Sequence, residues 1–433
     1  MKMRRILLGS SIAALGLLGL ASCGSDSKNV TNEVTYIDAN GQEQKLNVKT
    51  TKDSDTAFDA LVAVLSSYND ENIATAYNDI KGIKLSSSDD FDFGAVVTST
   101  DTYDGNTETE KGTLSAKGTL SANVIVDFAN SKASAGLTSN VTAKYDRVVT
   151  NTVDTSNNVA SNPLNVSVKG SANAYFDNTG IYAGGKINVT GLDTYIASMT
   201  GAEASGSVSN PLDVIKDFKY SVPTATIKTL IASLTGSTET EAGAYLNLAQ
   251  YKSYLPYLPT MVYSEANFNA FNAEELAAIK AEAKNYSLKI TATTAETVTF
   301  QAGVSLAQLY DLDSDSDTDA SSSVSNPFAA YTTPVTLTVT FNTKYYLPTL
   351  VKLDATAAIK KLNGKTIELE DETIKVTGSK FVSSVELKIG DVAAETLSDT
   401  EKKNYVDQTE NITALMQMLP YLLGSGEPEY ELK

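Results

Sequence analysis

Apolar and polar residues alternate with a period of two through most of residues 91–189 and again through much of 286–389. The run Thr113-Leu114-Ser115-Ala116-Lys117-Gly118-Thr119-Leu120-Ser121-Ala122-Asn123-Val124-Ile125-Val126 is the longest example, and strands follow at 137–149, 164–168, 172–175 and 181–189. Such segments, rich in Thr, Ser, Val and Ala and punctuated by Asn, Asp and Gly, predict an antiparallel sheet with one covered face. The repeated GTLSA at 112–116 and 118–122 is too short to mark a solenoid. The second block predicts strands at 286–291, 297–300, 335–341, 350–355, 366–369, 374–376 and 382–389.

Other segments carry other periods. Residues 34–37 and 45–48 flank Asp38-Ala39-Asn40-Gly41, whose Asn-Gly pair accepts the positive φ of a tight turn, so a hairpin is expected. Phe58, Leu61, Val62 and Leu65 then fall at helical spacing in a helix beginning near Ser54 or Asp55. Ile73, Tyr77 and Ile80 predict a second short helix, which Gly82 can stop.

Helical spacing returns at 195–199, at Leu212, Val214, Ile215 and Phe218, and at Ile227, Leu230, Ile231 and Leu234. Pro256 and Pro259 break 251–263 into a loop or irregular helix, whereas 273–282 is the clearest helix, with Asn272 as its cap. A last helical stretch over 399–423 is interrupted by Pro420. Strands gathered in blocks predict an α+β fold built on a large antiparallel sheet with helices on one face, and not the doubly wound lobes of a periplasmic solute-binding protein.

The N-terminus has a different logic. Lys2, Arg4 and Arg5 precede an apolar run of about 15 residues, short of the ~20 that a membrane-spanning helix needs. A basic region, a short apolar region and small residues together form a secretory signal. It ends in Leu20-Ala21-Ser22-Cys23, which looks like the lipobox of bacterial lipoproteins. That resemblance implies diacylglyceryl attachment to Cys23, a cell-membrane or outer-membrane anchor, and a body in the periplasm or outside the cell. The expected organisation is a signal peptide over 1–22, then lipidated Cys23, a polar spacer and the hairpin over 23–53. A single large domain over 54–433 follows, with a sub-boundary near 200–210.

Composition narrows the function. The formal charge is −18, so no nucleic-acid binding by charge is expected, anionic lipid headgroups should repel the protein, and the lipid rather than the surface is expected to do the anchoring. There is no histidine, no tryptophan and no cysteine besides Cys23, so His-based triads, thiol nucleophiles and His or Cys metal sites are excluded. We assign no catalytic residue, metal or cofactor, and expect a non-enzymatic protein. The acidic run Asp311 to Asp319 fails the EF-hand pattern in either register, with Thr318 or Ser316 at the glycine position, and reads as a solvated loop. Glu274, Glu275 and Glu282 with Lys280 and Lys284 read as a solvated helix face.

One aromatic cluster is a candidate site. Tyr251, Tyr254, Tyr257, Leu258, Met261 and Tyr263 can be core packing, the default, or the mouth of an apolar cleft that takes a hydrophobic small molecule or lipid. The segment 334–354, with Thr343-Lys344-Tyr345-Tyr346-Leu347-Pro348 between two strands, resembles the LolA/LppX-like class of lipoprotein and lipid carriers. The resemblance implies a sheet curled into a half-barrel, with helices on its concave face around an acyl-binding cavity. The expected function is therefore an anchored binder of a hydrophobic ligand, the alternative being a structural lipoprotein that presents loops to a protein partner.

Overall fold

The computed structural model describes residues 30–37, 42–67, 70–103, 105–161, 163–191, 215–259, 273–309, 326–369 and 372–414. Strands β1 (Asn32–Ile37) and β2 (Glu43–Val48) form the expected hairpin, and its turn lies outside the described residues. Helices α1 (Ser54–Ser66) and α2 (Asp70–Asn78) follow. Asp53 caps α1, its carboxylate accepting the Thr56 N–H at 2.8 Å and so satisfying one orphan donor of the first turn.

The first block builds β3 (Gly82–Tyr103), β4 (Asn106–Asp127), β5 (Lys132–Asn151), β6 (Leu164–Asp177) and β7 (Gly180–Thr190). The helical reading of Phe218 is corrected here: it opens strand β8 (Phe218–Pro223). A helical spacing of four apolar residues is also met by a short strand, and pairing with β7 settles the choice. Helices α3 (Thr224–Thr235) and α4 (Glu239–Tyr245), a 3-10 turn at Leu248–Tyr254 and helix α5 (Ala273–Ala283) come next.

The second block contains β9 (Lys289–Thr293), β10 (Thr297–Val304), β11 (Val335–Asn342), β12 (Leu347–Asp354), β13 (Thr366–Glu368) and β14 (Glu372–Gly390). The two strands expected at 374–376 and 382–389 are one, because the register shift between Gly378 and Lys380 absorbs an extra residue and pairing with β3 continues. Helix α6 (Thr356–Leu362) lies between β12 and β13, a short helix the periodicity did not register. The expected C-terminal helix is replaced over its first part by α7 (Asp399–Lys402) and strand β15 (Val406–Asp407).

All strands from β3 onward join one open sheet in the order β15-β8-β7-β6-β5-β4-β3-β14-β12-β11-β10-β9, with β13 on β14. Every pairing is antiparallel except β15 with β8. The fold is α+β, and β3 and β14 unite the two sequence blocks along 18 paired residues.

The core lies at one side of this sheet. Val298, Phe300, Val339, Phe341, Val351 and Leu387 pack against Phe58, Ala60, Val64 and Leu65 of α1, with Val34 and Val48 of the hairpin. Tyr77 of α2 donates its hydroxyl to the Tyr345 carbonyl at 2.8 Å and meets that ring edge-on. Lys280 of α5 and Lys284, just past its end, do not merely face solvent: they reach Asp59 and Asp55 of α1 at 2.6 and 3.0 Å.

Candidate functional site

Residues directly opposite one another in a sheet share a face, and the registers therefore sort the side chains of every strand. On one face β3 presents Ile83, Leu85, Phe91, Phe93 and Val97, and β4 presents Leu114, Leu120, Val124 and Val126. The same face continues through Leu137, Val141 and Tyr145 of β5 and Val166, Val168 and Phe176 of β6. Ile181, Ile187 and Val189 of β7 and Tyr220 and Val222 of β8 extend it to the edge. The opposite face of the same strands carries Lys, Thr, Ser and Asn, for example Lys117, Thr119, Ser121 and Asn123 of β4.

The apolar face is continuous with the core, since Leu387, Ile83 and Val126 join both. Away from the core it is open. Leu114 and Tyr145, direct cross-strand neighbours, are 50% and 49% exposed. Val124, Leu137, Ile181 and Tyr220 are also exposed on it. A strand of 22 residues is roughly 70 Å long, against roughly 20 Å for the 13-residue α1 that packs on the core. Exposed apolar residues scattered singly need no explanation, but a contiguous apolar field does.

Polar groups mark its far end. Arg147 of β5 lies on the apolar face and donates through Nε and Nη2 to both carboxylate oxygens of Glu110 at 2.6 and 2.8 Å. That fork holds the Glu110 carboxyl below its ordinary range. Asp89 sits on the same face midway along β3, opposite Leu120.

The C-terminal segment covers part of the polar face instead. Ser134 accepts the Glu395 N–H, and Tyr405 stacks edge-on against Tyr182. Lys402 reaches Asp177 at 2.7 Å, and burial raises the Tyr175 and Tyr405 hydroxyls above their usual range.

The sequence-predicted aromatic cluster divides. Leu255 enters the core and Leu258 packs against it, while Tyr254 and Tyr257 are 64% and 63% exposed. Tyr251 donates to the Tyr245 carbonyl at 3.0 Å, and its ring lies 6.3 Å from that of Tyr254. Met261, Tyr263, the acidic run at 311–319, Cys23 and the signal segment lie outside the described residues. Among the described residues no cluster of His, Cys, Asp and Glu fits a metal, and no helix is long and apolar enough to cross a membrane.

The sequence reading did not single out the open apolar face. Its signal was parity: in β4 the even positions carry Leu114, Leu120, Val124 and Val126, and the odd ones carry Lys111 and Lys117. No family model, curated protein or solved structure matches this chain.

Proposed function

We propose that this chain is an exported lipoprotein, anchored through Cys23, which holds a hydrophobic ligand against the apolar face of its sheet. The observation that carries the reading is the exposure of Leu114, Val124, Leu137, Tyr145 and Ile181 on one side of β4, β5 and β7. Burying such side chains is worth about 25 cal/mol per Å² of apolar surface, a driving force that an acyl chain or other apolar ligand would collect. The helices beside the core and the 3-10 turn tied to the β4–β5 turn, where Leu248 donates its N–H to Ser131 Oγ at 2.7 Å, would border the ligand. The anchor rests on the lipobox and the solitary cysteine.

Native mass spectrometry of the protein released gently from membranes, with organic extraction of the same sample, tests the ligand. Stoichiometric lipid or another hydrophobic species is expected. An empty protein that also fails to take up a fluorescent fatty acid would overturn the proposal.

A further inference from the structure

The polar face of the same sheet segregates charge. Every lysine in β3–β8 lies on it: Lys84 in β3, Lys111 and Lys117 in β4, Lys132 and Lys144 in β5, Lys169 in β6, Lys186 in β7 and Lys219 in β8. None lies on the apolar face. The acids that β3–β6 themselves place on the polar face are engaged: Asp92 with Lys117, Asp90 with Lys380, Asp177 with Lys402, and Asp127 with the Asn130 N–H of its turn, while Glu395 and Glu401 of the C-terminal segment lie beside Tyr175 and Tyr405, toward the β6–β8 end. Asp146 accepts from Ser161 Oγ at 2.7 Å.

Lys111, Lys144 and Lys169 are left exposed, with no ion pair among the described residues. The register puts Lys117 a diagonal step from Lys144, and Lys169 a diagonal step from Lys186, so these lysines spring from positions about 7–8 Å apart on neighbouring strands. Thr142, Asn140, Ser171 and Asn188 lie exposed between them as hydrogen-bonding groups. A chain of net charge −18 thus presents a locally basic, hydroxyl- and amide-rich surface.

We propose that this face docks on an anionic phospholipid bilayer. The charge of the surface is complementary to phosphate headgroups, and lysines near such a surface each add attraction that salt screens. The choice of a bilayer over another polyanion rests on the lipid-anchor reading: the chain between Cys23 and Asn32 reaches at most about 30 Å, which keeps the body beside the membrane. Docked this way, the sheet would turn its apolar face away from the headgroups. The average charge, read from composition, points the other way because it hides this segregation.

The test uses the Cys23→Ser chain, which carries no lipid, in co-sedimentation with vesicles of phosphatidylcholine alone or mixed with phosphatidylglycerol. Binding only to the mixed vesicles, abolished by high salt, is expected. A Lys111→Gln/Lys144→Gln/Lys169→Gln variant should bind them at least about tenfold more weakly. A Lys49→Gln/Lys52→Gln/Lys361→Gln variant, altered outside the face, should bind as the parent does. Failure of the parent to sediment, equal loss in both variants, or retention by soluble polyphosphate without vesicle binding would each overturn the proposal. None of these outcomes bears on ligand uptake by the apolar face, which the fatty-acid assay reads separately.

Discussion

Gly118 of β4 lies so close to Asn140 of β5 that a Cβ on the glycine would stand 2.0 Å from the Asn140 carbonyl oxygen. Its φ of +147° is equally closed to other residues. Gly170 of β6 repeats the arrangement against the Lys186 carbonyl, at 1.9 Å with φ of +142°. Both sit at interior positions of long strands, where glycine otherwise weakens a sheet. Gly118→Ala should therefore force the β4 and β5 backbones apart and destabilise the protein by about 3 kcal/mol or more, combining strain and lost pairing. Denaturant titration followed by circular dichroism checks this. Gly112→Ala in the same strand, where a Cβ meets nothing within 4 Å, is the control and should cost little.

A third strand glycine, Gly378, marks where alternation along the chain stops. Alternation located β4 to β7 and β10 to β12 because their faces differ sharply in polarity. It stopped at Gly378, where the bulge shifts the register, and so divided β14 in two. Helix α4 is seven residues long with few apolar positions, yet its Thr238-x-x-Glu241 capping box was present in the sequence, and the box forms. The candidate site was legible only as alternation. One covered face is the ordinary outcome for such strands, and no local pattern says that the helices end before the strands do.

Asp177 and Lys402 form the most sheltered ion pair described, 10% and 15% exposed. Burial pushes the Asp177 carboxyl up, but hydrogen bonds from Lys402 and Thr179 outweigh it and hold the group below its usual range. The hydrogen bond to Asp177 raises Lys402. A depressed acid stabilises the fold above its unfolded value near ~4 and loses that contribution as pH falls through its folded value. A raised lysine stabilises below about 10.4 and loses its share as pH rises through its folded value. Stability from this pair should therefore form a plateau between those limits.

Lys402→Met leaves Asp177 sheltered and unpaired, and should cost about 3 kcal/mol near neutrality. Adding Asp177→Asn should recover part of that loss, measured by denaturant midpoints. A double variant no more stable than Lys402→Met would show that the pair's charges do not set the cost.

Core and open face should respond oppositely to substitution. Phe341 is 1% exposed and meets Phe300 with ring centroids 6.0 Å apart, so Phe341→Ala should cost about 3–5 kcal/mol. Leu137 is 39% exposed, and Leu137→Ser should change stability by under about 1 kcal/mol. The same substitution should lower uptake of a fluorescent fatty acid, and Leu114→Ser combined with it should lower uptake further. Unchanged uptake in the double variant would remove the apolar face from ligand binding.

Cys23→Ser tests the anchor, and the charge segregation sharpens what it should show. A diacylglyceryl group holds a protein stably, whereas a few lysines near an anionic surface hold it weakly and only at low ionic strength. At physiological salt, where the screening length is about 8 Å, the variant should leave the membrane fraction intact and appear in the soluble external fraction. On membranes washed at low salt a part should remain and be released by raising the salt. Retention of all the variant at high salt, after removal of the signal, would mean that something other than Cys23 and the lysines of β4–β6 carries the attachment.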